Sequence, residues 1–151
     1  MNNYLIREAT LDDIENGLLD VYIEGYRYHQ NGRPDVFTDS TDAELKEELV
    51  KNFERLSTIV IIENNGIVGY LSYRIINRHN KKLDVDQLVI KENCRGKGLG
   101  RKLMDEAKNI ALQNNCSRIE LNCWMFNESA LAMYEHLGYD KQRIMYEMKL
   151  K

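Results

Sequence analysis

The spacing of apolar and polar positions predicts a chain that alternates between strands and helices. Short apolar and β-branched runs indicate strands at 4–8, 58–62, 67–76, 83–90 and 118–123. Helical spacing predicts one helix that starts near Thr10 and a second that starts near Ser40 or Thr41. A third follows Gly98, and a fourth runs from 128 to 137 and is closed by Gly138.

Turn residues divide these segments. The segment from Gln30 to Asp35 predicts a loop, and Asn65-Gly66 predicts a hairpin turn because both positions need a positive φ. Residues 139–150 are predicted to be mostly extended, as two strands or one bent strand. The predicted order is β-α-α-β-β-β-α-β-α-β, with a possible additional β at the end. This order indicates an α/β, mixed α+β fold with a twisted, mostly antiparallel central sheet.

Length and composition narrow the functional classes. With 151 residues and no linker or repeat, the chain is expected to be one domain spanning 1–151. A net charge of -3 argues against nucleic-acid binding. Without a signal-like or membrane-length apolar run, we expect a cytoplasmic protein with no membrane partner. The odd, unpaired Cys94, Cys116 and Cys123 predict free thiols and no metal site.

A glycine-rich loop between an apolar strand and an amphipathic helix holds the clearest chemical signal. It reads Arg95-Gly96-Lys97-Gly98-Leu99-Gly100, with Arg101 following. Free amides of the first helical turn, close approach at glycine and basic side chains together favour a pyrophosphate ligand. A Walker loop would need Lys followed by Ser or Thr, and a dinucleotide fold would need a different glycine spacing. A tight turn with no ligand is the structural alternative.

Two spaced motifs resemble the GNAT superfamily of N-acetyltransferases. Arg95, Gly98 and Gly100 match its cofactor signature. A second signature, Asn-x-x-Ala-x-x-x-Tyr-x-x-x-Gly-[Phe/Tyr], is matched from Asn127 through Tyr134 to Tyr139. The element order and the length also resemble the family over nearly the whole chain.

The resemblance implies that acetyl-CoA binds where strand 83–90 splays from strand 118–123. It also implies that residues of this strand, the glycine loop and the last helix bind the cofactor. These residues are Leu88, Val89, Ile90, Arg95, Gly96, Lys97, Gly98, Leu99, Gly100, Arg101, Asn127 and Tyr134. The family role of Tyr134 is to protonate the leaving thiolate or orient the sulfur. Its position on an apolar helix face is also that of a core tyrosine, and Asn127 is also suited to cap a helix.

Transfer to an amine requires a base, and two carboxylates are candidates. Asp84 and Asp86 are two residues apart on a strand, so both are expected to project to one face, which Leu88 would share. Asp86 occupies the place where many relatives carry Glu and is the leading candidate, acting through water, with Asp84 second. The structural alternative is a solvated strand end that faces neighbouring basic residues.

The predicted function is acetyl transfer from acetyl-CoA to a primary amine of a small molecule, peptide or protein, by direct attack in a ternary complex. The acceptor is expected near Tyr26, His29, Arg33 and Asp35, although His29 also suits a helix end and Arg33 could pair with Asp35. Trp124 and Phe126 are predicted to be core residues. The alternatives are a non-catalytic acyl-CoA sensor and a transferase for a longer acyl-CoA. Both a monomer and a homodimer are compatible with the sequence.

Overall fold

A computed structural model describes residues 3–151, which fold around one five-stranded sheet in the order β1-β2-β3-β4-β5. β1 to β4 pair antiparallel, whereas β5 lies parallel to β4. The strands are β1 Tyr4–Glu8, β2 Ser57–Glu63, β3 Gly66–Ile76, β4 Lys82–Ile90 and β5 Arg118–Leu121. The predicted mostly antiparallel sheet is therefore confirmed.

Helices lie on both faces of the sheet. A π-helical turn at Ile14–Leu18 kinks at Gly17 and leads into the first of them. Thr41 caps the second helix by accepting a hydrogen bond from the Glu44 amide at 3.1 Å, which agrees with the start predicted from the sequence. The helices are α1 Leu19–Gly32, α2 Asp42–Arg55, α3 Leu99–Gln113 and α4 Glu128–His136.

The sheet buries apolar side chains on both faces because successive strand residues alternate in direction. Ile59 and Ile61 of β2 face α3, where they join a cluster built around Leu71, Leu83, Leu99 and Leu103. Val60 between them faces α1 and α2, in a second cluster that includes Leu18, Tyr22, Leu45 and Tyr70. This double burial explains why β2 is a nearly continuous apolar run.

The hairpin between β2 and β3 turns one residue earlier than the sequence suggested. Asn64 and Asn65 both have positive φ, at 53° and 65°, and Gly66 already pairs with Glu63 as the first residue of β3. The prediction of an Asn65-Gly66 turn was therefore wrong by one position. Asparagine tolerates the left-handed region, so two asparagines form the turn without glycine.

A β-bulge in β4 changes which side chains share a face. Ser72 pairs with Gln87, but the next residue, Tyr73, pairs with Val85, which leaves Asp86 as the extra residue. Leu88 consequently packs on the α3 side with Val85. The prediction that Leu88 shares the face of Asp84 and Asp86 was therefore wrong.

The C-terminal end also departs from prediction. β5 ends at Leu121, and residues 139–150, predicted as extended strand, form no strand in the structure. Ion pairs of Glu147 with Arg33 at 2.8 Å and of Lys149 with Asp35 at 3.3 Å hold this segment against the loop after α1. Tyr139 packs on the core, but the apolar side chains from Ile144 onward are exposed, so that part of the predicted strand has nothing to pack on.

None of the helices within 3–151 combines the length and the apolar character that a membrane span requires.

Candidate active site

The opening between β4 and β5 forms the centre of the candidate site. The two strands pair from Lys82 with Arg118 as far as Val85 with Leu121. Beyond Val85, residues 87–90 pair only with β3, so the other edge of β4 presents unpaired backbone groups to the gap. The predicted splay is confirmed, and such an edge can bind an extended ligand as an added strand.

The glycine loop places free amides at one end of this gap. Gly98 is the N-cap of α3, with a φ of 78° and no side-chain cap, and Gly96 has a φ of 80°. Because the first intrahelical bond runs from the Lys102 amide to the Gly98 carbonyl, the amides of residues 99–101 have no intrahelical partner. A Cβ added at Gly96 or Gly98 would meet nothing within 4 Å, so the space beside the loop is open.

Two of the basic side chains in the loop bind neighbouring elements of the protein. Lys97 pairs with Glu63 of β2 at 2.9 Å, and this contact raises the pKa of Lys97. Arg95 donates from Nε to the Ile90 carbonyl at 3.0 Å, and its guanidinium lies over the Tyr28 ring at 5.4 Å. Arg95 therefore ties the loop to the end of β4, whereas Arg101 is exposed to solvent.

Tyr134 lies on α4, which closely approaches the start of α3. A Cβ at Gly100 would lie 3.3 Å from the Met133 sulfur. Tyr134 packs against the α3 core, and its ring centroid is 5.9 Å from that of Tyr139. Burial raises the pKa of Tyr134, and the nearby Cys123 and Tyr139 raise it further. The phenol is therefore protonated at neutral pH.

Asn127 joins the last helix to the first. Its Oδ1 caps α4 by accepting from the Ala130 amide at 3.4 Å, and it also accepts from the Tyr28 hydroxyl at 3.2 Å. Tyr28 thus bridges Asn127 and Arg95 across the gap. Sequence reasoning did not select Tyr28 as a site residue; the only signal was its place among the aromatic residues at the end of α1.

The two candidate carboxylates have different surroundings. Asp84 pairs with Arg74 at 3.1 Å on the neighbouring strand. Asp86, the bulge residue, comes directly after the last β4–β5 pair, where the strands separate. Although Asp86 as a whole is accessible to solvent, desolvation of its carboxyl group raises its pKa. The nearby Asp84 raises this pKa further, whereas Arg74 and Arg55 lower it.

The predicted acceptor residues lie at the end of α1 and in the following loop. The Tyr26 hydroxyl donates to the Thr38 carbonyl at 2.6 Å. His29 Nδ1 donates to the Gly25 carbonyl at 2.8 Å, which leaves Nε2 as the unprotonated nitrogen of the neutral ring.

Arg33 and Asp35 pair with each other, as their spacing suggested. The contact is bidentate, with both nitrogen–oxygen distances at 2.9 Å, and it holds the pKa of Asp35 well below its usual range. Arg33 also lies over the Trp124 ring at 5.0 Å.

Aromatic rings line the space between α1 and the segment that follows β5. Phe37 lies 5.5 Å from His29 and 5.8 Å from Trp124, and Phe126 lies 5.7 Å from His29, measured between ring centroids. Trp124 and Phe126, predicted as core, belong to neither core cluster and form this separate aromatic wall. The wall could not be found from sequence because its members come from two regions, 29–37 and 124–126, that are far apart along the chain.

Within residues 3–151, no group of three or more His, Cys, Asp or Glu side chains is arranged to hold a metal ion. The three cysteines are free and partly buried.

Comparison with solved structures supports the fold. A tetramutant of the BH1408 protein from Bacillus halodurans superposes with a TM-score of 0.88 at 22% identity, over 97% of this chain and 99% of that one. The aminoglycoside N-acetyltransferase AAC(6')-Iy, solved in complex with CoA, gives a TM-score of 0.72 at 12% identity over 100% of this chain and 97% of that one. At these identities the likeness concerns the fold alone.

Sequence comparison identifies the family. Pig (Sus scrofa) thialysine N-epsilon-acetyltransferase is 28% identical over 78 residues, which are 50% of this chain and 46% of that protein. The chain thus matches about half the length of this relative. The family model described as "Acetyltransferase (GNAT) family" matches residues 19–139. The chain therefore belongs to the GNAT family of acetyltransferases.

Proposed function

We propose that this enzyme transfers the acetyl group of acetyl-CoA to a primary amine by direct attack in a ternary complex. The observation that carries the proposal is the gap between β4 and β5, which has the glycine loop at one end and the Tyr134 helix beside it. A strand edge, a set of free amides and a protonated phenol are the groups that a CoA thioester needs in order to bind and react.

The residues around the gap fit acetyl-CoA. The free amides of residues 99–101, together with Arg101, would hold the pyrophosphate beside Gly96 and Gly98, where space is open. The open edge at Leu88, Val89 and Ile90 would pair with the amides of the pantetheine arm. Bound there, acetyl-CoA supplies an activated acyl group on a thiol leaving group.

Tyr134 is the proposed general acid. The same burial that raises its pKa keeps the hydroxyl protonated, so a proton is available for the departing sulfur. A thiolate that forms in desolvated surroundings also has a raised pKa, which keeps this proton transfer energetically accessible.

Asp86 is the proposed base and acts through water. A raised pKa makes its carboxylate a stronger proton acceptor than an ordinary aspartate, and it lies where the strands separate. Asp84 is less suited to this role because its carboxylate is already paired with Arg74.

The acceptor is proposed to be an alkyl primary amine that enters between the aromatic wall and Asp86. The rings of Phe37, Trp124 and Phe126 offer faces that attract a cation, and Asp86 supplies negative charge. The name of the matched pig enzyme, thialysine N-epsilon-acetyltransferase, also describes acetylation of an alkyl amine. A small molecule and a peptide both present such a group.

Thiol release from acetyl-CoA tests the proposal. Amino acids, polyamines, aminoglycosides and peptide N-termini are screened as acceptors, and each acetylated product is identified by mass. At least one amine is expected to give acceptor-dependent release. Tight binding of acetyl-CoA with no thiol release for any amine would instead indicate a non-catalytic acyl-CoA sensor. Faster turnover with longer acyl-CoA donors would show that the enzyme transfers a longer acyl group.

A further inference from the structure

A cavity of about 610 Å³ opens where β3 turns into β4, at the end of the sheet away from the glycine loop. Four of the side chains that line it are basic, namely Arg74, Arg78, Lys82 and Arg118. None of them belongs to the cofactor gap or to the aromatic wall. The chain as a whole carries a net charge of -3, so this concentration of positive charge is local. A cavity of this volume is large enough for a small molecule.

Acidic side chains neutralise only part of the positive charge in the cavity. Glu120 is shared by two bases, Lys82 at 2.9 Å and Arg118 at 3.4 Å. Arg78 is exposed and has no ion-pair partner among residues 3–151. One carboxylate shared by two bases and one base without a partner leave an excess of positive charge, which favours an anionic ligand.

The cavity lies on the same face of the sheet as Asp86. Arg74 of the cavity pairs with Asp84 in the strand register and through an ion pair of 3.1 Å. Because the adjacent Leu83 faces α3, Asp84 and Arg74 project to the face that carries α1 and α2. Burial raises the pKa of Tyr70, which packs on that face, and the nearby Asp86 raises it further. A polar floor therefore leads from Asp86 to the cavity.

The two ends of this floor carry opposite charge. Asp86 is acidic, whereas the cavity has an excess of basic groups. Asp84 and Lys82 lie two and four residues before Asp86, which corresponds to about 7 and 13 Å along the strand. A molecule with a cationic amine at Asp86 and an anionic group at its other end would match both charges.

We propose that the cavity binds an anionic group of the acceptor. The acceptor is then a primary amine that also carries a carboxylate or a phosphate, about 7–13 Å from the amine. Arg78, Lys82 and Arg118 hold the anion, and Asp86 receives the amine. Arginine is suited to this role because its guanidinium binds both carboxylate and phosphate through two parallel hydrogen bonds. The inference rests on the proposed amine acetylation and narrows its acceptor. It disfavours polyamines, which would place a second cation among the basic side chains.

Thiol release with matched linear amines tests the inference. Aminooctanoate, with its amine on the last carbon, and aminohexyl phosphate carry an anion, whereas octylamine ends in a methyl group and diaminooctane in a second amine. For at least one anionic acceptor, kcat/KM should exceed that of octylamine by roughly tenfold, equivalent to 1.4 kcal/mol, and diaminooctane should be the poorest acceptor. The better of the two anionic acceptors identifies the carboxylate or the phosphate. Values within about threefold of one another, or a preference for diaminooctane, would overturn the inference and leave amine acetylation intact. No thiol release with any of the four would overturn both.

Reversal of one charge in the cavity tests its location. Arg78→Glu should keep the fold, since Arg78 is exposed and unpaired within 3–151. It should raise KM for the preferred anionic acceptor by roughly tenfold at nearly constant kcat, because the anion is bound equally before and during the reaction. Octylamine should change by less than about threefold.

Lys81→Glu is the matched control, because it makes the same charge change at a residue that does not line the cavity. It should leave KM for every acceptor within about threefold of wild type. Arg118→Gln, which removes a charge from β5, should raise KM for the anionic acceptor as Arg78→Glu does. Unchanged KM in both arginine variants, an equal rise for octylamine, or an equal rise in Lys81→Glu would each overturn the inference.

Discussion

Replacing Tyr134 by phenylalanine separates catalysis from folding more cleanly than any other change at the site. The substitution keeps the ring in its contact with Tyr139 and removes only a hydroxyl. That hydroxyl makes no hydrogen bond to another residue within 3–151, so its loss leaves no buried partner unpaired. The free energy of unfolding should change by less than about 1 kcal/mol, which corresponds to roughly 2–4 °C in Tm for a chain of this size.

The catalytic effect should be much larger. If the hydroxyl protonates the leaving sulfur, kcat should fall by roughly 10²-fold or more, which is about 2.7 kcal/mol of transition-state stabilisation. Because burial raises the pKa of Tyr134 above its ordinary value near 10, the wild-type rate should show no loss from its ionisation up to about pH 9. Affinity for acetyl-CoA should remain nearly unchanged.

Initial rates of thiol release at saturating acceptor measure this effect, with unfolding curves for both proteins. Tyr139→Phe is the matched control, since Tyr139 is a neighbouring tyrosine whose pKa is also raised by burial. It should keep turnover within about threefold, because conservative changes away from the reacting groups cost little. Turnover of Tyr134→Phe within threefold of wild type would refute the acid role and leave Tyr134 as a packing residue.

Three further predictions concern the base, the cofactor loop and the fold. Asp86→Asn should lower kcat/KM most near neutral pH and less at alkaline pH, where more of the amine is already neutral. Asp84→Asn should change kcat/KM little. Equal pH–rate profiles in the wild type and both variants would exclude both strand carboxylates as the base. Gly98→Asp should abolish the rise in Tm that acetyl-CoA causes, whereas Gly138→Asp, which also has a positive φ, should keep it. Asp13→Asn should cost about 1–3 kcal/mol at pH 7 by chemical denaturation, because it weakens the bonds to Arg7 at 2.8 and 2.9 Å. Since Arg7 lowers the pKa of Asp13, this difference should disappear as pH falls below about 4, and a constant difference would contradict it.

The sequence by itself determined the order of elements and the parts of the site that are local. Periodicity located all five strands of the structure because burial on both sheet faces requires apolar residues at fixed spacing. Thr41 and Asn127 were identifiable as helix caps because a cap depends on residues only two or three positions away. The glycine loop was also identifiable, since both its turn and its free amides are properties of one short segment.

Tertiary structure alone decided which distant side chains meet. The bulge at Asp86 shifted Leu88 to the other face because strand register depends on the partner strand as well as on alternation. Tyr28 reached Asn127 and Arg95 only because α1 crosses the gap. Residues 139–150 were predicted to be extended and yet form no strand, since a strand needs a neighbouring edge and a surface to cover. Local pattern thus specified what each segment can form, and the packing of remote segments decided what it does form.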